Sequence, residues 1–239
     1  MRWSFTIARV AGTEVKVHVT FLLLVAYIAY EGWVMAGSAA AISYTLFFLA
    51  FFLCIVLHEF GHIAMARRFG VRTPDVILLP IGGVARLERI PDVPRQEFLI
   101  ALAGPAVTLA IIVVLAVAVA LSGHPLGYAP NPVALDVPMA SRLLSANVVV
   151  LLFNLIPAFP LDGGRVLRAV LARRMGLARG TRIAGGVGQL FALGLGIVGF
   201  LMPAPLILLV AFFIFLGAGS EASAVPTLPA TATGSPALR

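Results

Sequence analysis

The sequence predicts a membrane all-α fold, a polytopic bundle of about six transmembrane helices with small membrane-associated β-hairpins. Three observations lead there: composition, apolar run length and the sidedness of the cations. Of the 239 residues, 61% are hydrophobic and 11% are charged, against roughly 45–50% apolar and about 25% charged in ordinary globular domains. So few charges cannot cover so much apolar surface in water, which excludes a soluble globular chain, a disordered chain and a fibrous repeat. Six apolar runs approach or exceed the length a spanning helix needs, about 20 residues. They lie near residues 18–37, 43–66, 98–121, 139–160, 183–202 and 204–219. No internal repeat is visible.

In chain order, residues 5–17 alternate apolar and polar around Gly12, which reads as a short hairpin ahead of the first run. Residues 75–90 carry Asp75-Val-Ile-Leu-Leu-Pro80, the Gly82-Gly83 pair and then Val84-Ala-Arg86-Leu. Pro80 and the glycines break any helix, so a second strand–turn–strand is expected there. The fourth run ends in Pro157 and Pro160, and a helix broken inside a membrane marks a site, because its freed backbone groups need partners. Met202-Pro203-Ala204-Pro205 separates the last two runs, the second of them short. The segment 221–239, rich in Ala, Pro and Thr, reads as a flexible tail behind one domain over residues 1–220.

The connecting segments orient the bundle. Arg2, Arg9 and Lys16 precede the first run; six arginines (67, 68, 72, 86, 89 and 95) follow the second. Six more (165, 168, 173, 174, 179 and 182) follow the fourth, and Arg239 ends the chain. Arg142 alone falls on the opposite side. The positive-inside rule therefore puts both termini in the cytoplasm. The net charge of +7 follows from this sidedness, so no nucleic-acid partner is expected. The N-terminus lacks a cleavable signal pattern and is expected to be retained. Cys54, the single cysteine, excludes an intrachain disulfide and a cysteine-rich zinc module, and reads as a small buried residue. His18 and His124 sit near run ends and read as interfacial.

The second run holds His58-Glu59-Phe60-Gly61-His62. Residues four apart on a helix lie about 40° apart around the axis, so both imidazoles share one face. They supply two of the three protein ligands of a catalytic zinc site. Glu59 lies roughly 100° round from His58, placed to reach a water at the metal as general base. The alternative is a set of polar residues that satisfy one another within the bundle. Asp162, after the broken fourth run, is the candidate third ligand. Its alternatives are a helix cap or an ion pair with Arg165.

These motifs resemble the site-2 protease family of intramembrane zinc metalloproteases. The resemblance rests on His58-Glu59-Phe60-Gly61-His62, the Asn154-to-Arg165 segment, Pro80-Ile81-Gly82-Gly83-Val84, Ala103-Gly104-Pro105 and Val17-to-Leu22, and spans residues 5 to about 219. It implies one Zn2+ per chain held by His58, His62 and Asp162, with Glu59 as general base. It also implies that Asn154 hydrogen-bonds the substrate backbone or the developing oxyanion; helix–helix packing is the alternative for this residue. The implied substrates are transmembrane segments of membrane-anchored proteins, cut in regulated intramembrane proteolysis, in the cell membrane. A helical substrate must unwind before water attacks its carbonyls, and residues 76–87, with Gly82, Gly83 and Val84, are expected to hold it by strand addition. A packing or membrane-surface loop is the other reading of that segment. The CBS and PDZ modules of some relatives fit nowhere in this chain. A non-catalytic metal-binding membrane protein, transporter or pseudo-protease, is the rival reading; a transport site has no need of Glu59 between two ligands.

Overall fold

The structure is a computed structural model, and it describes residues 3–80, 82–85, 88, 93–127 and 134–224. The chain divides into two compact units, Met1–Ile156 and Pro157–Arg239.

The first unit opens with strands β1 (Ser4–Val10) and β2 (Thr13–His18), joined through Ala11 (φ 47°) and Gly12 (φ 82°). Positive φ at both turn residues matches the twist of a two-residue hairpin. The second expected hairpin is present as β3 (Asp75–Leu79) and β4 (Gly82–Ala85). The two hairpins are one sheet in the order β1-β2-β3-β4, because β2 pairs with β3 in parallel through Val15↔Val76 and Val17↔Leu78. One face carries Val15, Val17, Val76 and Leu78, which pack with Phe21, Phe52 and Ile63 of helix α1 (Val19–Arg68). The other face carries charge. Glu14 pairs with Arg9 across the hairpin, and Lys16 lies 3.0 Å from Glu14 and 2.9 Å from Asp75.

Helix α1 runs for 50 residues, but Ala36 (φ −151°) and Gly37 (φ 77°) leave helical geometry. Its two arms fold back on each other. Phe21 packs against Phe48 at 5.6 Å and Phe52 at 4.6 Å between centroids, while a Cβ on Gly32 would lie 2.8 Å from Ala41 Cα. Contacts of 21 with 52 and of 32 with 41 are those of an antiparallel helical hairpin, so the first two apolar runs are separate arms. Residues 38–68 form the longer arm, and its last turns lie along the sheet, where Arg67 donates to Thr13 Oγ1 at 2.7 Å. Helix α2 (Pro94–Leu121) packs on α1, and α3 (Met139–Asn154) packs on both. Arg142 is buried, donates to Ser43 Oγ at 3.1 Å and lies over the Phe47 ring at 5.4 Å. It thus ties α3 to the longer arm.

Helix α3 stops at Asn154, short of the expected 160, because proline at 157 and 160 cannot donate to the preceding turn. In the second unit, the segment expected to be only a basic connection contains helix α4 (Asp162–Met175). Helix α5 (Leu177–Leu201) begins six residues before the expected 183, and α6 is Pro205–Ser223. These two pack through small residues: a Cβ on Gly185 would lie 2.7 Å from Ala222 Cβ, and one on Gly188 2.9 Å from Ala218 Cβ. Among the described residues, four helices, α1, α2, α5 and α6, are long and apolar enough to cross a membrane. The tail from 225 onward lies outside the described residues, as do Ile81, Arg86, Leu87, Arg89 and Ile90 of the expected strand–turn–strand.

The charged sheet face makes a testable statement. Hydrogen bonds from Arg9 first, then from Lys16, hold the Glu14 carboxyl below its usual value of 4.5. The Asp75 hydrogen bond first, then that of Glu14, raises Lys16 above 10.5. A lowered carboxyl stabilises the fold fully above its unfolded value and loses that contribution as pH falls through the folded one; a raised amine loses its contribution as pH climbs past its folded value. Unfolding temperatures of wild type and Glu14→Gln are therefore expected to separate at neutral pH and to converge in acid. Parallel curves at every pH would contradict this.

Candidate metal centre

His58 and His62 lie on the longer arm of α1, one turn apart and both buried, with ring centroids 4.8 Å apart. Their Nε2 atoms face each other at 3.1 Å. The opposite nitrogens are held by α2. His62 Nδ1 lies 2.7 Å from the Ile100 carbonyl oxygen, and His58 Nδ1 lies 2.9 Å from Thr108 Oγ1. A carbonyl only accepts, so His62 Nδ1 carries the proton and Nε2 of the neutral ring presents its lone pair. Thr108 can accept in the same way from His58. A metal-ligating histidine needs this kind of outer partner to fix its tautomer and orientation.

The donor set fits a tetrahedral zinc ion. Two imidazole nitrogens each at 2.0–2.1 Å from such an ion stand about 3.3 Å apart, close to the separation observed. The space in front of them is kept open by backbone. A Cβ on Gly104 of α2 would lie 2.2 Å from His62 Nε2 and 2.7 Å from His58 Nε2. Gly61, inside the histidine motif, explains how α2 comes so near: a Cβ there would lie 2.6 Å from the Ala103 carbonyl oxygen.

Glu59 meets the sheet. A Cβ on Gly83 of β4 would lie 2.9 Å from Glu59 Cγ and 3.7 Å from its Oε1. The structure thus brings together four of the residues singled out in the sequence, His58, Glu59, His62 and Gly83. Gly82 and Val84 flank Gly83 on the same strand, paired with Leu79 and Ile77. Asn154 is the last residue of α3, where its amide donates to the Val150 carbonyl one turn back at 3.1 Å.

In the second unit, Asp162 is buried and is the first residue of α4. The N-cap position is Leu161, so Asp162 stands one residue inside the helix, in its first turn. Arg165 Nη1 lies 3.8 Å from Asp162 Oδ1, a loose ion pair.

Sequence reasoning missed Thr108 and the Ile100 carbonyl. A lone hydroxyl in an apolar run is a signal for Thr108, whereas a backbone carbonyl leaves none.

The model of peptidase family M50 matches residues 46–141 and 137–195. The chain belongs to this family. A zinc metalloprotease of Methanocaldococcus jannaschii is 34% identical to this M50 chain over 230 residues, covering 94% of it and 62% of the relative. Stage IV sporulation protein FB of Bacillus subtilis is 27% identical over 157 residues, covering 63% of this chain and 49% of that protein. The chain therefore spans about three fifths or less of the length of these two relatives. Among solved structures, the site-2 protease of M. jannaschii matches with a TM-score of 0.65 at 32% identity, over 95% of this chain and 99% of that one.

Gly104→Ala is expected to abolish metal binding, because its methyl occupies the space before both Nε2 atoms. Metal analysis of the purified, folded variant checks this; wild-type zinc content would mean that the metal is held elsewhere.

Proposed function

We propose that this M50 chain is an intramembrane zinc metalloendopeptidase that cleaves transmembrane segments of membrane-anchored proteins, as in regulated intramembrane proteolysis. The observation that carries the reading is the pair of buried imidazoles with Nε2 atoms 3.1 Å apart, beside Glu59, on a helix of membrane-spanning composition.

One zinc per chain would be held by His58 and His62, with Asp162 as third ligand, a carboxylate completing a two-imidazole set. When bound, zinc supplies Lewis-acid polarisation of the scissile carbonyl and acidifies water. The remaining work belongs to the chain. Glu59 takes the proton of the attacking water and delivers it to the leaving amine as the peptide bond breaks. Ile100 and Thr108 hold the imidazoles in the ligating tautomer. Asn154 has a second amide N–H beyond the one donated to Val150, and is assigned to the substrate backbone.

Strand β4, with Gly82, Gly83 and Val84, is assigned to hold the unwound substrate as an added strand. Its support is the contact of Gly83 with Glu59 and the position of β4 at the end of the sheet order. Val84→Pro, which removes an amide donor from β4, is expected to leave zinc content unchanged and to abolish cleavage. Unchanged cleavage would remove β4 from the substrate path.

The membrane arrangement follows from the same reading. Six crossing segments, the two arms of α1 and helices α2, α3, α5 and α6, would lie in the cell membrane with both termini cytoplasmic. The support is the one-sided distribution of cations. The protease domain would extend to Ser223, where α6 ends, and not stop at the expected 220, because Glu221 lies in that helix and pairs with Arg168.

The deciding experiment compares wild type and Glu59→Gln for zinc content and for cleavage of a single-span membrane reporter in detergent. Both are expected to bind about one zinc, and Glu59→Gln, having lost the base, is expected to cleave at least about 10²-fold more slowly than wild type. Equal cleavage by the two would dismiss Glu59 as the base. Zinc binding without cleavage by wild type would favour a non-catalytic metal protein.

A further inference from the structure

The turn that leads into Asp162 is gripped by three helices at once. A Cβ on Gly164 of α4 would lie 2.5 Å from Phe159 N, one on Gly188 of α5 3.3 Å from Ala158 Cα, and one on Gly217 of α6 2.8 Å from Pro160 Cδ. Ala158 and Phe159 are fully buried. Close backbone contact of this kind fixes where a turn sits, and by itself assigns no task to any side chain. The second observation is a charged one. Arg168, six residues along α4 from Asp162, is 5% exposed, and its guanidinium lies 5.0 Å from the centroid of the Phe159 ring. Its Nη1 donates to Glu221 Oε2 on α6 at 2.9 Å.

A buried guanidinium requires a partner for its charge, and Glu221 supplies one. The ring face of Phe159 takes the cation in addition, an attraction that strengthens away from water. These contacts form a continuous line, from Glu221 on α6 through Arg168 on α4 to Phe159, three residues before Asp162. An ion pair serving only to join α4 to α6 has no need to rest on the residue that begins the approach to the ligand.

We propose that Arg168 is a positioning residue for Asp162. Held by Glu221, it keeps Phe159 seated against the glycine contacts and so sets the start of α4 and the direction of the carboxylate. Helices α5 and α6 thereby belong to the ligand-bearing scaffold, in addition to any role as membrane anchors. The proposal rests on the reading of Asp162 as a metal ligand.

The test is titration of the full chain in detergent with Zn2+ and with Co2+ as a spectroscopic probe, for wild type, Arg168→Gln, Glu221→Gln, Phe159→Leu and Asp162→Ala. Loss of an outer orienting group typically weakens metal binding about 10–100-fold. That loss is expected in the first three variants, with visible Co2+ bands displaced toward those of Asp162→Ala and helical circular dichroism unchanged. Wild-type affinity and bands in the folded variants would overturn the proposal. Should Arg168→Gln fail to fold, Phe159→Leu, which keeps apolar bulk and removes the ring, decides in its place. If Asp162→Ala shows the wild-type Co2+ spectrum, Asp162 is not a ligand and the proposal falls with that assignment. If wild type takes up neither metal, the zinc reading itself fails and takes the proposal with it.

Discussion

Two imidazoles inside an apolar bundle keep one protonation pattern only if a group outside the pair dictates it. The Ile100 carbonyl does so here, by accepting from His62 Nδ1 at 2.7 Å. With that proton on Nδ1, the neutral ring turns its Nε2 lone pair toward His58 Nε2 at 3.1 Å, a separation suited to a shared cation. The hydrogen bond exists because α2 passes α1 at glycine distance, with Gly61 against the Ala103 carbonyl. A larger residue at 61 would lift α2 away and release both imidazoles. The spacing of the histidines makes them neighbours; the helix crossing makes them candidate ligands.

The sheet depends on the same arm of α1. Its apolar face packs on Phe52 and Ile63, residues that bracket His58, Glu59 and His62. Because side chains alternate along a strand, Val15 and Val17 turn inward while Glu14 and Lys16 face the other way. The Arg9–Glu14–Lys16–Asp75 ladder therefore lies on the face away from the α1 core. Pairing of β2 with β3 carries β4 to the site, and Gly83 can sit beside Glu59 only because it has no side chain to put there.

Much of this was legible in the residues. The histidine pair declares itself by its interval, and both hairpins by alternation and turn residues. The break between the first two helical arms shows at Gly37. What periodicity cannot give is a partner: nothing local in Val15 or Val76 says that they pair, since 61 positions separate them. Helix α4 was missed for another reason. A test based on apolar length passes over Asp162–Met175, although an acidic first turn, arginines in the last turn and Gly176 beyond it are the ordinary marks of a helix. Asn154 is singled out by the family resemblance and by nothing local, and in the structure its amide first serves its own helix.

Glycine recurs at nearly every contact that matters, and the solvent explains why. Lipid tails are as apolar as the helices, so burying apolar surface adds little drive for helices to associate, and close van der Waals approach takes its place. Gly61, Gly83 and Gly104 set the distances around the histidines and Glu59; Gly164, Gly188 and Gly217 set those around the turn before Asp162. In a soluble enzyme a bulky core could tolerate some repacking around such a site. Here the nearest neighbours are backbone at Gly61 and Gly164 and the two imidazoles at Gly104, which cannot move aside without carrying the site with them. Much of the geometry of the site is therefore held by residues that have no side chain to offer the chemistry.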